Sequence, residues 1–92
     1  MPSYIVTYDL NKEISRPNMV GLIKKTFPDW AKLSESSYAV STNLDAVAVY
    51  NSLASLLDSN DNLYVITLSR RWFGRGPTDV NNWLADKLGA AG

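Results

Sequence analysis

The 92-residue sequence predicts an α+β domain: a four-stranded antiparallel sheet with two crossover helices on one face. Short β-branched and aromatic runs alternate with longer segments of helical period in the order β-α-β-β-α-β. The first and last of these runs are apolar on both alternating sets, and the first reads as a central strand covered on both faces. A further helical segment follows a loop rich in Gly and Arg.

Tyr4-Ile5-Val6-Thr7-Tyr8 opens the fold as a strand, and Asp9-Leu10-Asn11-Lys12 closes it, since Asp and Asn bond readily to turn backbone. Ser15 and Pro17 mark a helix start, where the missing proline N–H costs nothing. Val20, Ile23 and Phe27 give that helix an apolar stripe, and Pro28 stops it. Trp30 to Ser34 and Ser37 to Thr42 read as two strands joined by a Glu35-Ser36 turn, with one long bent strand as the alternative. Thr42-Asn43-Leu44-Asp45 fits a capping box with Asp in place of Glu. The helix it starts carries Ala46, Val49, Tyr50, Leu53, Leu56 and Leu57 on one face and ends in the polar run Asp58 to Asn62.

Leu63 to Leu68 is the last strand, apolar on both faces. Residues 70–77 form an Arg/Gly loop, and Thr78 caps a final helix bearing Val80, Trp83, Leu84 and Leu88, stopped by Gly89. The chain therefore reads as one domain over 1–92: a ferredoxin-like βαββαβ sandwich core in 3–69, then the 70–77 loop and a C-terminal helix over 78–88. With both crossover helices on one face, the other needs a cover, which is either the final helix or a second copy of the chain. A homodimer through the sheet is the expectation.

With no Cys and no His, disulfides, thiolate metal sites and every Ser–His or Cys–His mechanism are excluded. Chemistry would rest on carboxylates, Lys, Arg, Tyr or Ser. Nine basic and nine acidic residues cancel, which argues against gripping nucleic acid by bulk charge. The distribution is uneven, however: no Lys or Arg lies between Leu33 and Ser69, whereas Arg70, Arg71 and Arg75 are clustered. The start MPSYIVTYDL is unlike a signal peptide and no apolar run reaches membrane-spanning length, so no membrane association and a cytoplasmic location are expected.

The segments Tyr4 to Lys12, Trp30 to Thr42 with Ser34-Glu35-Ser36-Ser37 at its centre, and Leu63 to Ser69 together resemble the Cas-two-like family of small CRISPR-associated endonucleases of the adaptation machinery. The resemblance spans about residues 3–69 and centres on Tyr8-Asp9-Leu10. It implies a ferredoxin-like fold, a dimer formed through the sheets, and metal-dependent cleavage of RNA or DNA phosphodiesters. Asp9 would bind Mg²⁺ or Mn²⁺ together with its twin across the dimer axis. It also implies a structural role in some members, which bridge an integrase partner without using that activity. The chain departs from the family in its C-terminal helix, where many members place a strand, and in its zero net charge.

Among the residues themselves, a carboxylate at a strand's carboxyl end suits a hard cation that keeps several waters, but Asp after a strand also caps turns. Asn11, Glu13, Ser36 and Ser37 could add oxygens at the same end or serve only as loop residues. Arg70, Arg71 and Arg75 are the candidate nucleic-acid contacts, with Trp72 and Phe73 stacking a base. In the alternative, these aromatics dock the final helix and the arginines face water. Tyr4, Tyr8 and Tyr38 raise an RNA-binding reading, because an RNA-recognition motif stacks bases on sheet aromatics. Its third-strand signature is absent from Ser37 to Thr42, so these tyrosines are expected to pack in a dimer interface. Three readings follow: a Mg²⁺-dependent dimeric nuclease, a non-catalytic bridging dimer, and an RNA-binding domain.

Overall fold

The computed structural model describes all of residues 1–92. The elements are β1 (Ser3–Asp9), a 3-10 turn (Glu13–Ser15), α1 (Arg16–Thr26), β2 (Trp30–Ser34), β3 (Ser37–Ser41), α2 (Ala46–Ala54), β4 (Asn62–Leu68) and α3 (Thr78–Leu88). The hairpin is thus two strands joined by a tight turn, with an irregularity in pairing between Lys32 and Ser34. All pairings are antiparallel and the order is β2-β3-β1-β4. β3 lies between β1 and β2, and β1 between β3 and β4. Each crossover helix therefore skips one strand, the interleaving that a ferredoxin-like βαββαβ chain makes.

The two faces of β1 have different fates. Tyr4, Val6 and Tyr8 point to the crossover helices and join Tyr38, Val40 and Leu63 in one core with Met19, Ile23 and Phe27, closed by Val49 and Leu53 of α2. This corrects the expectation that Tyr4, Tyr8 and Tyr38 pack in a dimer interface, since all three are buried beneath helices of their own chain. Two of the buried phenols keep a polar partner where they emerge. Tyr4 Oη donates to the Leu44 carbonyl at 2.8 Å and Tyr8 Oη to that of Glu35 at 3.2 Å. Burial pushes the Tyr8 phenol up to about 12, so it stays a donor at any ordinary pH.

Three local expectations shift. The buried stripe of α1 is Met19, Ile23 and Phe27, an i, i+4 row, and Val20 sits at its edge. The cap of α2 is Asp45, whose Oδ1 accepts from Ala48 N at 2.8 Å, while Thr42 Oγ1 only accepts from Leu44 N at 3.3 Å. For α3 the cap position is Pro77, and Thr78 is already helical. Gly89 ends α3 with φ +97°, a left-handed conformation that favours glycine.

α3 packs against β2 on the sheet's second face. Trp83 Nε1 donates to Asp29 Oδ1 at 2.8 Å, and Lys87 pairs with the same carboxylate. Along one cross-strand row, burial falls from Ala31 and Ala39, which are covered, through half-buried Ile5 to Ile66, which is 55% exposed. Small residues, Ser3, Ala31, Ala39 and Ser41, let the helix and its loop lie close. The final helix therefore covers the β2–β3 side and leaves the β4 side open, where Tyr64 is 64% exposed.

The Lys87 ammonium holds the Asp29 carboxyl below the ordinary carboxylate range, and Asp29 in turn raises Lys87. A depressed carboxyl stabilises the fold above its unfolded value and loses that contribution as pH falls through the folded one. Wild type is thus expected to be more stable than Asp29→Asn through neutral pH, with the difference closing in acid. Tm measured against pH checks this. Leu53→Ala is expected to cost about 2–5 kcal/mol in chemical denaturation, the usual cost of a core cavity.

Candidate functional site

Because side chains alternate along β1, burying Tyr8 puts Asp9 on the second face with Thr7 and Ile5. Its register partner is Asn62 at the start of β4. Asp9, Asn62, Ser36 and Tyr64 line an open cleft of about 460 Å³ at this end of the sheet, joined by Glu13 and Arg16. Asp9 is exposed and its carboxylate makes no hydrogen bond or ion pair.

That freedom has a cause just before the neighbouring strand, β4. The turn after β1 is held by Asp61, whose Oδ1 accepts from Asn11 N at 2.6 Å and whose Oδ2 accepts from Asp58 N at 3.0 Å. The Asn11 amide, followed by that of Asp58, holds the Asp61 carboxyl below its ordinary value. Turn capping, the other role open to an Asp after a strand, thus falls to Asp61. Sequence reasoning missed Asp61 because Asp58 to Asn62 reads only as a polar run, and the contact joins residues fifty positions apart.

The neighbours expected at this end divide. Glu13 Oε1 accepts from Arg16 Nη2 at 2.9 Å, and Ser37 Oγ is engaged with Ser34 Oγ at 2.6 Å, so neither is free. Asn11 contributes its backbone amide to Asp61. Ser36 and Asn62 stay on the cleft wall. Arg16 Nε is buried there without a hydrogen-bond partner, a guanidinium donor the sequence did not single out. No group of three or more carboxylates that could hold a metal occurs in the chain.

The arginine loop sits elsewhere. It leaves β4 at Leu68, while Asp9 faces Asn62 at the strand's other end, so six steps of about 3.3 Å put roughly 20 Å between the two regions. The three arginines also part company. Arg70 lies against Gly89 at the carboxyl end of α3, where a cation meets the helix dipole. Arg71 and Arg75 line a cavity of about 310 Å³ between the loop and α3. Trp72 docks the final helix, its Nε1 donating to the Gly89 carbonyl at 2.7 Å, whereas Phe73 is 87% exposed.

No known family model matches the chain, and no curated protein is significantly similar to it. No helix is long and apolar enough to cross a membrane.

The two aspartates are expected to separate by mutation. Asp9→Ala is expected to change stability by less than about 0.5 kcal/mol, as surface changes that break no bond do. Asp61→Ala is expected to lower Tm, because it orphans the Asn11 and Asp58 amides; thermal melts of both variants check the pair.

Proposed function

We propose that the chain acts as a homodimer of the Cas-two-like type that cleaves RNA or DNA phosphodiesters with a divalent cation held between two Asp9 carboxylates. The observation that carries this reading is the free Asp9 carboxylate, exposed on the open side of the sheet and relieved of turn capping by Asp61. One such group per protomer is a poor site alone, and a second copy supplies its twin. The open side beside it bears Tyr64 and Ile66, apolar groups that a sheet-to-sheet contact would cover.

The donors fit a hard cation. Asp9, Asn62 and Ser36 offer only oxygen as ligand atoms, which suits Mg²⁺ or Mn²⁺. When bound, such an ion lowers the pKa of a coordinated water and offsets charge on the phosphate. The chain's own part is to orient Asp9 from the end of a central strand and to present Arg16 to a phosphate oxygen. Arg71 and Arg75 lie too far from Asp9 for that task. They would contact phosphates elsewhere along a bound strand.

A second reading keeps the dimer and drops the chemistry, leaving a bridge between nucleic acid and a protein such as an integrase. The separation of Asp9 from Arg71 and Arg75 favours it. An RNA-recognition-motif mode loses its support, because that motif stacks bases on the face away from the helices and Tyr4, Tyr8 and Tyr38 face inward.

The deciding assay offers single- and double-stranded RNA and DNA to the purified protein with Mg²⁺, Mn²⁺ or chelator. Cation-dependent cutting is expected, falling by about 100-fold or more in Asp9→Ala, as loss of a metal's protein ligand does. Ile66→Asp is expected to leave the monomer folded, shift sedimentation from dimer to monomer, and remove cutting with it. A folded dimer that cuts nothing under any of these conditions leaves only the bridging reading.

A further inference from the structure

The cavity between the 70–77 loop and α3 has a composition that the fold alone does not require. Leu68, Leu84 and Leu88 give it an apolar interior, and Trp72 and Phe73 place two aromatic rings along the loop side. Arg71, Arg75 and Lys32 are its only charged lining groups; no carboxylate is among them. Lys32 is engaged with Glu35 at 3.1 Å, but Arg71 and Arg75 form no ion pair. Asn81 Nδ2 donates to the Gly76 carbonyl at 3.3 Å, which leaves Asn81 Oδ1 as an unused acceptor on the wall.

A protein of zero net charge thus collects two unpaired guanidinium groups at one apolar pocket. The complementary ligand has an aromatic body and an anionic end. At about 310 Å³ the cavity lies at the lower end of small-molecule sites, which run from roughly 300 to 1,000 Å³, so it suits one ring system rather than a long chain. Phe73 supports the same choice. A large ring 87% exposed, beside the flexible Gly74, is free to swing over a base and stack on it.

We propose that this cavity is a mononucleotide pocket, with the base between Phe73 and the leucine wall and the phosphate on Arg71 and Arg75. Asn81 Oδ1 would accept from an exocyclic amino group of the base. The inference rests on reading Arg71 and Arg75 as phosphate contacts. It is independent of Asp9, which lies at the other end of the sheet. The same chemistry is offered by a free nucleotide and by the phosphorylated end of a single strand.

The test is titration of the purified protein with AMP, ribose 5-phosphate, decanoate and a 5′-phosphorylated oligonucleotide, followed by tryptophan fluorescence and calorimetry. AMP is expected to bind with Kd of roughly 1 mM or below. Arg71→Ala/Arg75→Ala should weaken it about tenfold or more, since charge-assisted bonds are lost. Phe73→Ala, safe for folding at so exposed a position, should weaken AMP about tenfold and leave ribose 5-phosphate unchanged. An oligonucleotide that binds tighter than AMP identifies the strand end as the source, whereas equal or weaker binding identifies the free nucleotide. Ribose 5-phosphate binding as well as AMP overturns the base pocket while leaving the phosphate contacts standing. No AMP binding by the folded protein at several millimolar, or stronger binding of decanoate, overturns the proposal outright. Cleavage is not read in this assay, so its outcome and that of the Asp9 assay fail separately.

Discussion

The alternation of side chains along β1 organises the molecule. Seven residues in the middle of the sheet must send neighbours to opposite faces, and the large rings of Tyr4 and Tyr8 go under the helices. Once they do, Ile5, Thr7 and Asp9 are committed to the second face. A slip of one residue would turn Asp9 toward the helix-covered core, where an unpaired carboxylate is intolerable. The core and the candidate site are therefore fixed by the same choice of register. The phenols make that choice workable, since each reaches a carbonyl at the rim and leaves no polar atom stranded.

The second face is then divided by size. Ala31, Ala39, Ser3 and Ser41 leave a shallow bed on which α3 and its loop come to rest, and Trp83 and Lys87 fasten that helix to Asp29 before β2. Tyr64 and Ile66 on β4 are too large and too far across to be covered by the same helix. The chain thus carries two different surfaces on one sheet: a closed side that ends in the arginine cavity, and an open side that ends in Asp9. Nothing in the geometry of the single chain joins them, and an extended ligand, a second copy or two separate ligands are the ways to use both.

Much of this was legible in the sequence. The β-branched and aromatic runs and the helical stripes set the element order, and the proline and glycine stops placed the ends of α1 and α3 within two residues. The misplaced features were those decided by contacts distant in sequence. Thr42 and Asp45 both look like caps, and only the path of the chain out of β3 decides that Asp45 takes the Ala48 amide. Tyr4, Tyr8 and Tyr38 carry an apolar body with a polar tip, so sequence pattern alone could not tell a helix-covered core from a partner-covered face. At the site, Asp9 was visible because it sits at a strand end. Asp61, which frees it, was not, because its bond to Asn11 joins the turn after β1 to the residue before β4, neighbours in space but fifty positions apart in sequence. The 70–77 loop was seen as a cluster of cations and rings, but its separation into Arg70 at the helix end and Arg71 with Arg75 at a cavity required the fold of α3 back across the sheet.

This division has an energetic consequence for reading function by mutation. A domain of this size has only a few kcal/mol of net stability, so a site built from core groups would confuse loss of fold with loss of function. Here the two are held apart. Asp9, Arg71, Arg75 and Phe73 make no ion pair and support no buried contact, whereas Tyr8, Asp61, Trp72 and Trp83 each complete a hydrogen bond that closes a turn or seats a helix. Groups left unpartnered at the surface contribute little to folding, since water satisfies them equally well in the unfolded chain. Their placement is then constrained only by what they meet outside the chain. That is why the free carboxylate at one end of the sheet and the free guanidinium pair at the other are where ligands should be sought.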